Sequence, residues 1–229
     1  MRSSDSDRSS DSDWNDPGEL DWNEFEWETY LRDQDDVTHR YLAFYEQLRT
    51  HPDRIDEVAH LMGWDAFEWN TDATAPEKPV AEADDEEGDF EPYTLHKNPV
   101  FVATQAIYLS LARRWEWLAA DPAKVPQELA LRFLASLHRG ERHAILGIQA
   151  LDLGDYTMAI SLFKRALREI NSTLALLDEP TAARHRALLA YREDALPRLF
   201  DLREIWLRVI NECRDEIGRK TEDVDGEDS

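Results

Sequence analysis

Acidic charge is confined to one part of this chain, and that decides where a packed body can form. Residues 1–97 carry 28 Asp and Glu against 8 Lys and Arg, residues 98–218 carry 16 of each, and residues 219–229 carry 5 acids and 2 bases. A segment with much like charge and little apolar surface does not offset the entropy of ordering its backbone. A balanced stretch of about 120 residues is long enough to bury a core. The chain therefore reads as an acidic arm ahead of an electrically balanced body. Five stretches are expected: a disordered Ser/Asp-rich tail (1–18), an acidic aromatic helical segment (19–69), an acidic Pro-containing linker (70–97), a helical-bundle body (98–218) and an acidic disordered tail (219–229).

Residues 2–13 repeat the hexad Arg-Ser-Ser-Asp-Ser-Asp twice, a low-complexity pattern without a core. In the next stretch Tyr41, Phe44, Tyr45 and Leu48 recur at helical spacing, and Pro52 closes that helix. Ile55, Val58, Ala59 and Met62 make a second, short apolar stripe, with Gly63 placed as a C-terminal cap. The body opens on Asn98-Pro99, a cap followed by proline at the first helical position. An apolar stripe follows from Val100 through Ile107 and Leu111 to Trp115 and Leu118. A second body helix is expected over 126–153, with Gly140 as a point of interruption. A third starts near Asp155, and a fourth runs from about Thr181 to Ile217 with Pro197 inside it. No segment alternates with period two for long enough to make a strand. The expected fold is all-α, an antiparallel helical bundle of four or more helices.

Charge and composition exclude several roles. The longest uncharged run, Asn98 to Ala112, is fifteen residues, short of the roughly 20 that span a bilayer, so no membrane association is expected. The single cysteine, Cys213, cannot form an internal disulfide and fits a reducing, cytoplasmic setting. A net charge of −23 repels nucleic acid phosphates and favours a basic protein partner.

The stretch Leu153-Gly-Asp-Tyr-Thr-Met-Ala-Ile-Ser-Leu-Phe-Lys-Arg-Ala-Leu167 resembles the turn and second helix of a tetratricopeptide repeat. On that resemblance Gly154, Asp155 and Tyr156 make the turn, Ala159, Phe163 and Ala166 pack the hairpin, and a groove near Tyr156 and Phe163 recognises another protein. The residues make sense on their own terms too. Gly154 can take the positive φ that ends a helix, Asp155 can cap the next, and the alanines let two helices approach. The motif occurs once: such repeats recur about every 34 residues, and Leu188 to Asp201 has no Gly-Asp-Tyr.

Catalytic patterns are sparse. Glu57 and His60 have the Glu-x-x-His spacing of carboxylate-bridged di-iron bundles, which need a second copy and two further Glu. His138, Glu141, Arg142 and His143 cluster without the three or four convergent ligands that zinc requires. Arg132 and His138 have an Arg-x5-His spacing that resembles the bundle-fold ribonucleases named for their presence in higher eukaryotes and prokaryotes. No phosphate-binding loop or nucleophile–base pair is present, so no cofactor or metal is expected. The function expected is a non-catalytic adaptor or regulator that binds a basic protein. Its contacts would be Trp22, Phe25, Trp27 and Tyr30 on the arm, with a groove near Tyr156 and Phe163 on the hairpin; Trp22, Phe25, Trp27 and Leu31 could instead dock on the body. The alternatives are a helical-bundle enzyme, ribonuclease-like or metal-dependent, and a nucleic-acid mimic.

Overall fold

The structure is a computed structural model and describes residues 22–64, 94–179, 182 and 184–227, with side chains to 219. The expected tail at 1–18 and residues 70–93 of the expected linker lie outside the described residues. The described residues form six α-helices and one 3-10 turn: α1 (Glu24–Gln47), α2 (Arg54–Leu61), the turn Leu95–Lys97, α3 (Pro99–Ala119), α4 (Gln127–Asp152), α5 (Tyr156–Leu177) and α6 (Arg186–Glu227). The protein is all-helical, as its periodicity requires.

α1 is one continuous helix, longer than the Tyr41–Leu48 pattern alone implies. Its start is set by a capping box. Asn23 Oδ1 accepts from the Phe25 and Glu26 backbone N–H groups at 2.9 and 3.2 Å, and the Glu26 carboxylate accepts from the Asn23 N–H at 2.7 Å. Two helices end on glycines in the left-handed region, Gly63 at φ 76° and Gly154 at φ 72°. Each is the pivot of a Schellman motif: Trp64 N–H donates to the Ala59 carbonyl and Asp155 N–H to the Ala150 carbonyl, both at 2.9 Å. Asp155 then caps α5 through the Met158 N–H at 2.9 Å. Asn98 caps α3 through the Val100 N–H at 2.9 Å, with Pro99 at the first helical position.

α3 is the central helix. It buries not one stripe but residues on most of its circumference, including Phe101, Val102, Thr104, Tyr108 and Ser110 beside Ile107, Leu111 and Trp115. A helix apolar nearly all round must be covered all round, and α1, α4, α6 and the 3-10 turn cover it. The uncharged run Asn98–Ala112 is therefore the heart of the core.

The acidic aromatic segment is no satellite. Tyr41, Tyr45, Ile55, Val58 and Ala59 belong to the same apolar core as the body helices. The structured part also begins before the expected boundary at 98, because Leu95 packs on that core and the turn abuts α3. At the other end α6 continues beyond 218 to Glu227. Arg219 pairs with Glu216 one turn back at the point where the tail was expected to begin, a spacing that supports helix. α6 starts at Arg186 rather than near Thr181, and Pro197 lies within it without dividing it.

Gly140 does not split α4. A stripe of small residues, Ser136, Gly140, Ala144 and Gly147, is buried along one face of that helix. It allows α5 to come close. Ser136 Oγ lies 2.7 Å from Thr173 Oγ1, a Cβ on Gly140 would lie 3.4 Å from Glu169 Cβ, and one on Gly147 would lie 3.2 Å from the Phe163 ring. The partners descend from 173 to 163 as the α4 positions ascend, so the two helices run antiparallel. Gly140 also makes room for α3, since a Cβ there would lie 2.5 Å from the Tyr108 hydroxyl oxygen. Gly140→Ala is expected to destabilise the fold by about 1–3 kcal/mol, the usual cost of overpacking, despite alanine's better helix propensity. Tyr108→Phe removes the clashing atom and should recover most of that loss, as read by urea denaturation of the two single variants and the double variant.

Candidate functional site

Two groups of side chains hold chemistry that a plain helical core does not need: an aromatic cluster where α1 begins and a buried ionic network near its end. In the first, Trp22, Trp27 and Tyr30 meet edge to face with ring centres 5.1, 5.6 and 6.0 Å apart. Tyr30 stands edge to face with His96, and His96 with Phe101 at 5.1 Å. The Tyr30 hydroxyl also bonds to the Thr94 hydroxyl. The arm aromatics thus clamp the 3-10 turn and the start of α3. Tyr30 is buried and serves this docking, not a free contact. Phe25 stands 75% exposed, Leu31 42% and Trp27 37%, so Phe25 is the most exposed of the three.

The ionic network joins three helices around Arg198, which is 3% exposed. Its Nη2 donates to Glu46 on α1 at 2.6 Å, its Nε to Ser110 Oγ on α3 at 3.1 Å, and its Nη1 pairs with the Asp194 carboxylate on α6 at 2.8 Å. Arg114 on α3 bridges the same two acids, at 3.0 Å to Glu46 and 2.8 Å to Asp194. Burial alone would raise the Glu46 carboxyl, but the hydrogen bond and charge of Arg198, with Arg114 and Ser110, hold it below the usual carboxylate range. A second ionic group ties α2 to α6. Arg54 and the Tyr45 hydroxyl both donate to the Asp201 carboxylate. Arg54 also donates to the Arg49 carbonyl at 2.8 Å and lies 5.0 Å over the Tyr45 ring. Arg208 pairs with Asp56 and with Glu204.

The hairpin residues separate into two kinds. Ala159 and Ala166 are buried between helices and Gly154 makes the turn. Phe163 is fully buried, its ring between Gly147 and Trp206, so it cannot border an open groove; an aromatic at the close approach of two helices is drawn into the core. Tyr156 is partly buried against that core. Leu153 and Met158, beside the turn, are 83% and 54% exposed.

The residues with catalytic spacing do not converge. Arg132 holds Glu179 through both Nη groups, at 2.6 and 3.3 Å, while His138 is exposed on the same helix. Glu57 and His60 are exposed on α2. Among the described residues no group of three or more His, Cys, Asp or Glu could hold a metal ion. No helix of the described residues is long and apolar enough to cross a membrane. Compared with family models, with curated proteins and with solved structures, the chain matches none.

One titratable group was not visible in the sequence. Burial pushes the Glu212 carboxyl up to about 7, Arg208 opposing and Asp215 adding to the shift, and its Oε2 has no hydrogen-bond partner among the described residues. The neighbouring Cys213 thiol is buried and pushed up to about 12, again chiefly by burial. A carboxyl whose folded-state pKa is raised binds its proton more tightly folded than unfolded. Its ionisation therefore costs stability as the pH rises from the ordinary value of 4.5 through about 7. Glu212→Gln is expected to raise the melting temperature above neutral pH, with the gain vanishing below about pH 4. Arg198→Ala is expected to cost about 1–3 kcal/mol, because the partly buried Glu46 and Asp194 lose one partner while Arg114 still pairs with both, read by chemical denaturation.

Proposed function

We propose that the protein is a non-catalytic binding module, an adaptor or regulator that recruits a basic protein partner through the N-terminal half of α1. The observation that supports this most directly is Phe25, a large apolar side chain 75% exposed at the start of an ordered, capped helix. Residues 24–36 around it carry six acids and one base. Aromatic anchors supply most of an interface's affinity, and surrounding charges choose the partner and speed its encounter. The edge-to-face contacts of Trp22, Trp27 and Tyr30 brace this half of the helix on the body, so its exposed face is organised before a partner arrives.

The likeness of residues 153–167 to a tetratricopeptide hairpin points to the same class of function, as an analogy of local sequence. Tyr156, with Leu153 and Met158 exposed beside it, offers that hairpin's accessible surface, and Phe163 acts from within by holding α5 in place.

The test is a photo-crosslinking residue at position 25 of the full-length chain in native extract. A basic protein should be trapped there. Its affinity, remeasured with purified components, should fall about tenfold in Phe25→Ser and decline as salt is raised, while the melting temperature stays that of the wild type. A partner bound equally well by Phe25→Ser, or indifferent to salt, would remove α1 from the reading.

A further inference from the structure

A second surface, of opposite polarity, lies beyond the far end of α1. There the C-terminal part of α3 meets the start of α6 around a cleft of about 760 Å³, within the range of ligand pockets and too large for a packing defect. Leu118, Ala187, Ala190 and Tyr191 supply its apolar surface. Tyr191 is fixed there by its hydroxyl, which donates to the Leu111 carbonyl at 3.0 Å. Trp117 lines the same cleft and is 75% exposed, with the Lys124 ammonium 5.2 Å from its ring centre.

The charged lining is the informative part. Arg49 enters from the exit of α1, Arg113 and Arg114 from α3, and Lys124 from the turn before α4. Four cations in one cleft depart sharply from the rest of a chain whose net charge is −23. The single carboxylate in the lining, Asp194, is already held by Arg114 and Arg198, each at 2.8 Å. Arg114 is committed to Glu46 and Asp194, and Lys124 pairs with Asp121 at 3.3 Å. Arg49 and Arg113 are exposed, and neither guanidinium has a carboxylate partner among the described residues; Arg113 reaches the His39 ring at 3.4 Å.

We propose that this cleft docks an acidic, amphipathic peptide segment of another protein, in which Asp or Glu alternate with bulky aliphatic side chains. Such a segment satisfies both halves of the site at once. Its apolar side chains cover Ala187, Ala190 and Trp117 beside Leu118 and Tyr191, while its carboxylates meet Arg49 and Arg113. A compact anion would leave the apolar surface wet, and a neutral apolar chain would leave the cations unanswered. This surface is independent of the α1 face, and the adaptor reading neither requires nor supplies it.

The test uses the full-length protein and a fluorescein-labelled peptide of alternating glutamate and leucine, followed by anisotropy at low ionic strength. The peptide should bind, and its affinity should fall at least tenfold when its glutamates are replaced by glutamines or when salt is raised. Arg113→Glu and Trp117→Ser, both at exposed positions, should each weaken binding about tenfold with unchanged helicity by circular dichroism. Phe25→Ser should bind the peptide as the wild type does, which separates this site from the α1 face. Absence of binding, equal binding of the glutamine peptide, indifference to Arg113→Glu, or tighter binding of a labelled single-stranded oligonucleotide would each overturn the proposal.

Discussion

The arrangement of this protein depends on a buried guanidinium. Arg198 is almost wholly removed from water, and burying a charge is costly unless each donor finds an acceptor. Here the acceptors come from three different helices: Glu46 from α1, Ser110 from α3 and Asp194 from α6 itself. None of the three can slide or rotate by a turn without stranding the charge. The site also adjoins the proline in α6. Arg198 Nη1 also donates to the Asp194 carbonyl, one turn back on α6, at 2.5 Å. One residue therefore fixes the register of the helices around it.

That network changes how the charge segregation is to be understood. Counted along the chain, residues 98–218 are neutral and self-sufficient. In space they are not, because the arm's carboxylates meet body arginines: Glu46 meets Arg198 and Arg114, and Asp56 meets Arg208. The exchange also runs the other way, with Arg54 of the arm on Asp201 of the body. The acidic arm and the balanced body share one apolar core and one set of ion pairs, so the charge boundary near residue 97 is not a domain boundary.

What could be read in the sequence was whatever local chemistry decides. Asn98-Pro99, Gly63, Gly154 and Asp155 act through their own backbone and immediate neighbours, and each stands where its residue type belongs. The start of α1 is equally local, an Asn-x-x-Glu box at Asn23 and Glu26 set among aromatic residues. Gly140, by contrast, was opaque. In isolation it weakens a helix, and its purpose appears only when Tyr108, thirty-two residues earlier, is laid across it. Phe163 and Tyr30 fail in the same manner. Exposure of an aromatic depends on what packs over it, and the residues that cover these two come from other helices. The cleft cations were individually visible, but their assembly from α1, α3 and a turn is a tertiary fact.

The two surfaces of opposite polarity are related through α1. A helix of 24 residues is about 36 Å long, and it carries acids at its start and Arg49 just past its end. Both placements complement the helix macrodipole, positive at the N-terminus and negative at the C-terminus. Local electrostatics thus favours an acidic face at one end of α1 and a basic one at the other, independently of any partner. The interior of α1 carries Tyr41, Tyr45 and Glu46, which lock it to the core and to Arg198. A rigid helix held in this way keeps the acidic face and the basic cleft at a constant separation. The two surfaces share no residue. The span between the two surfaces is set by the packed length of α1 rather than by a flexible linker.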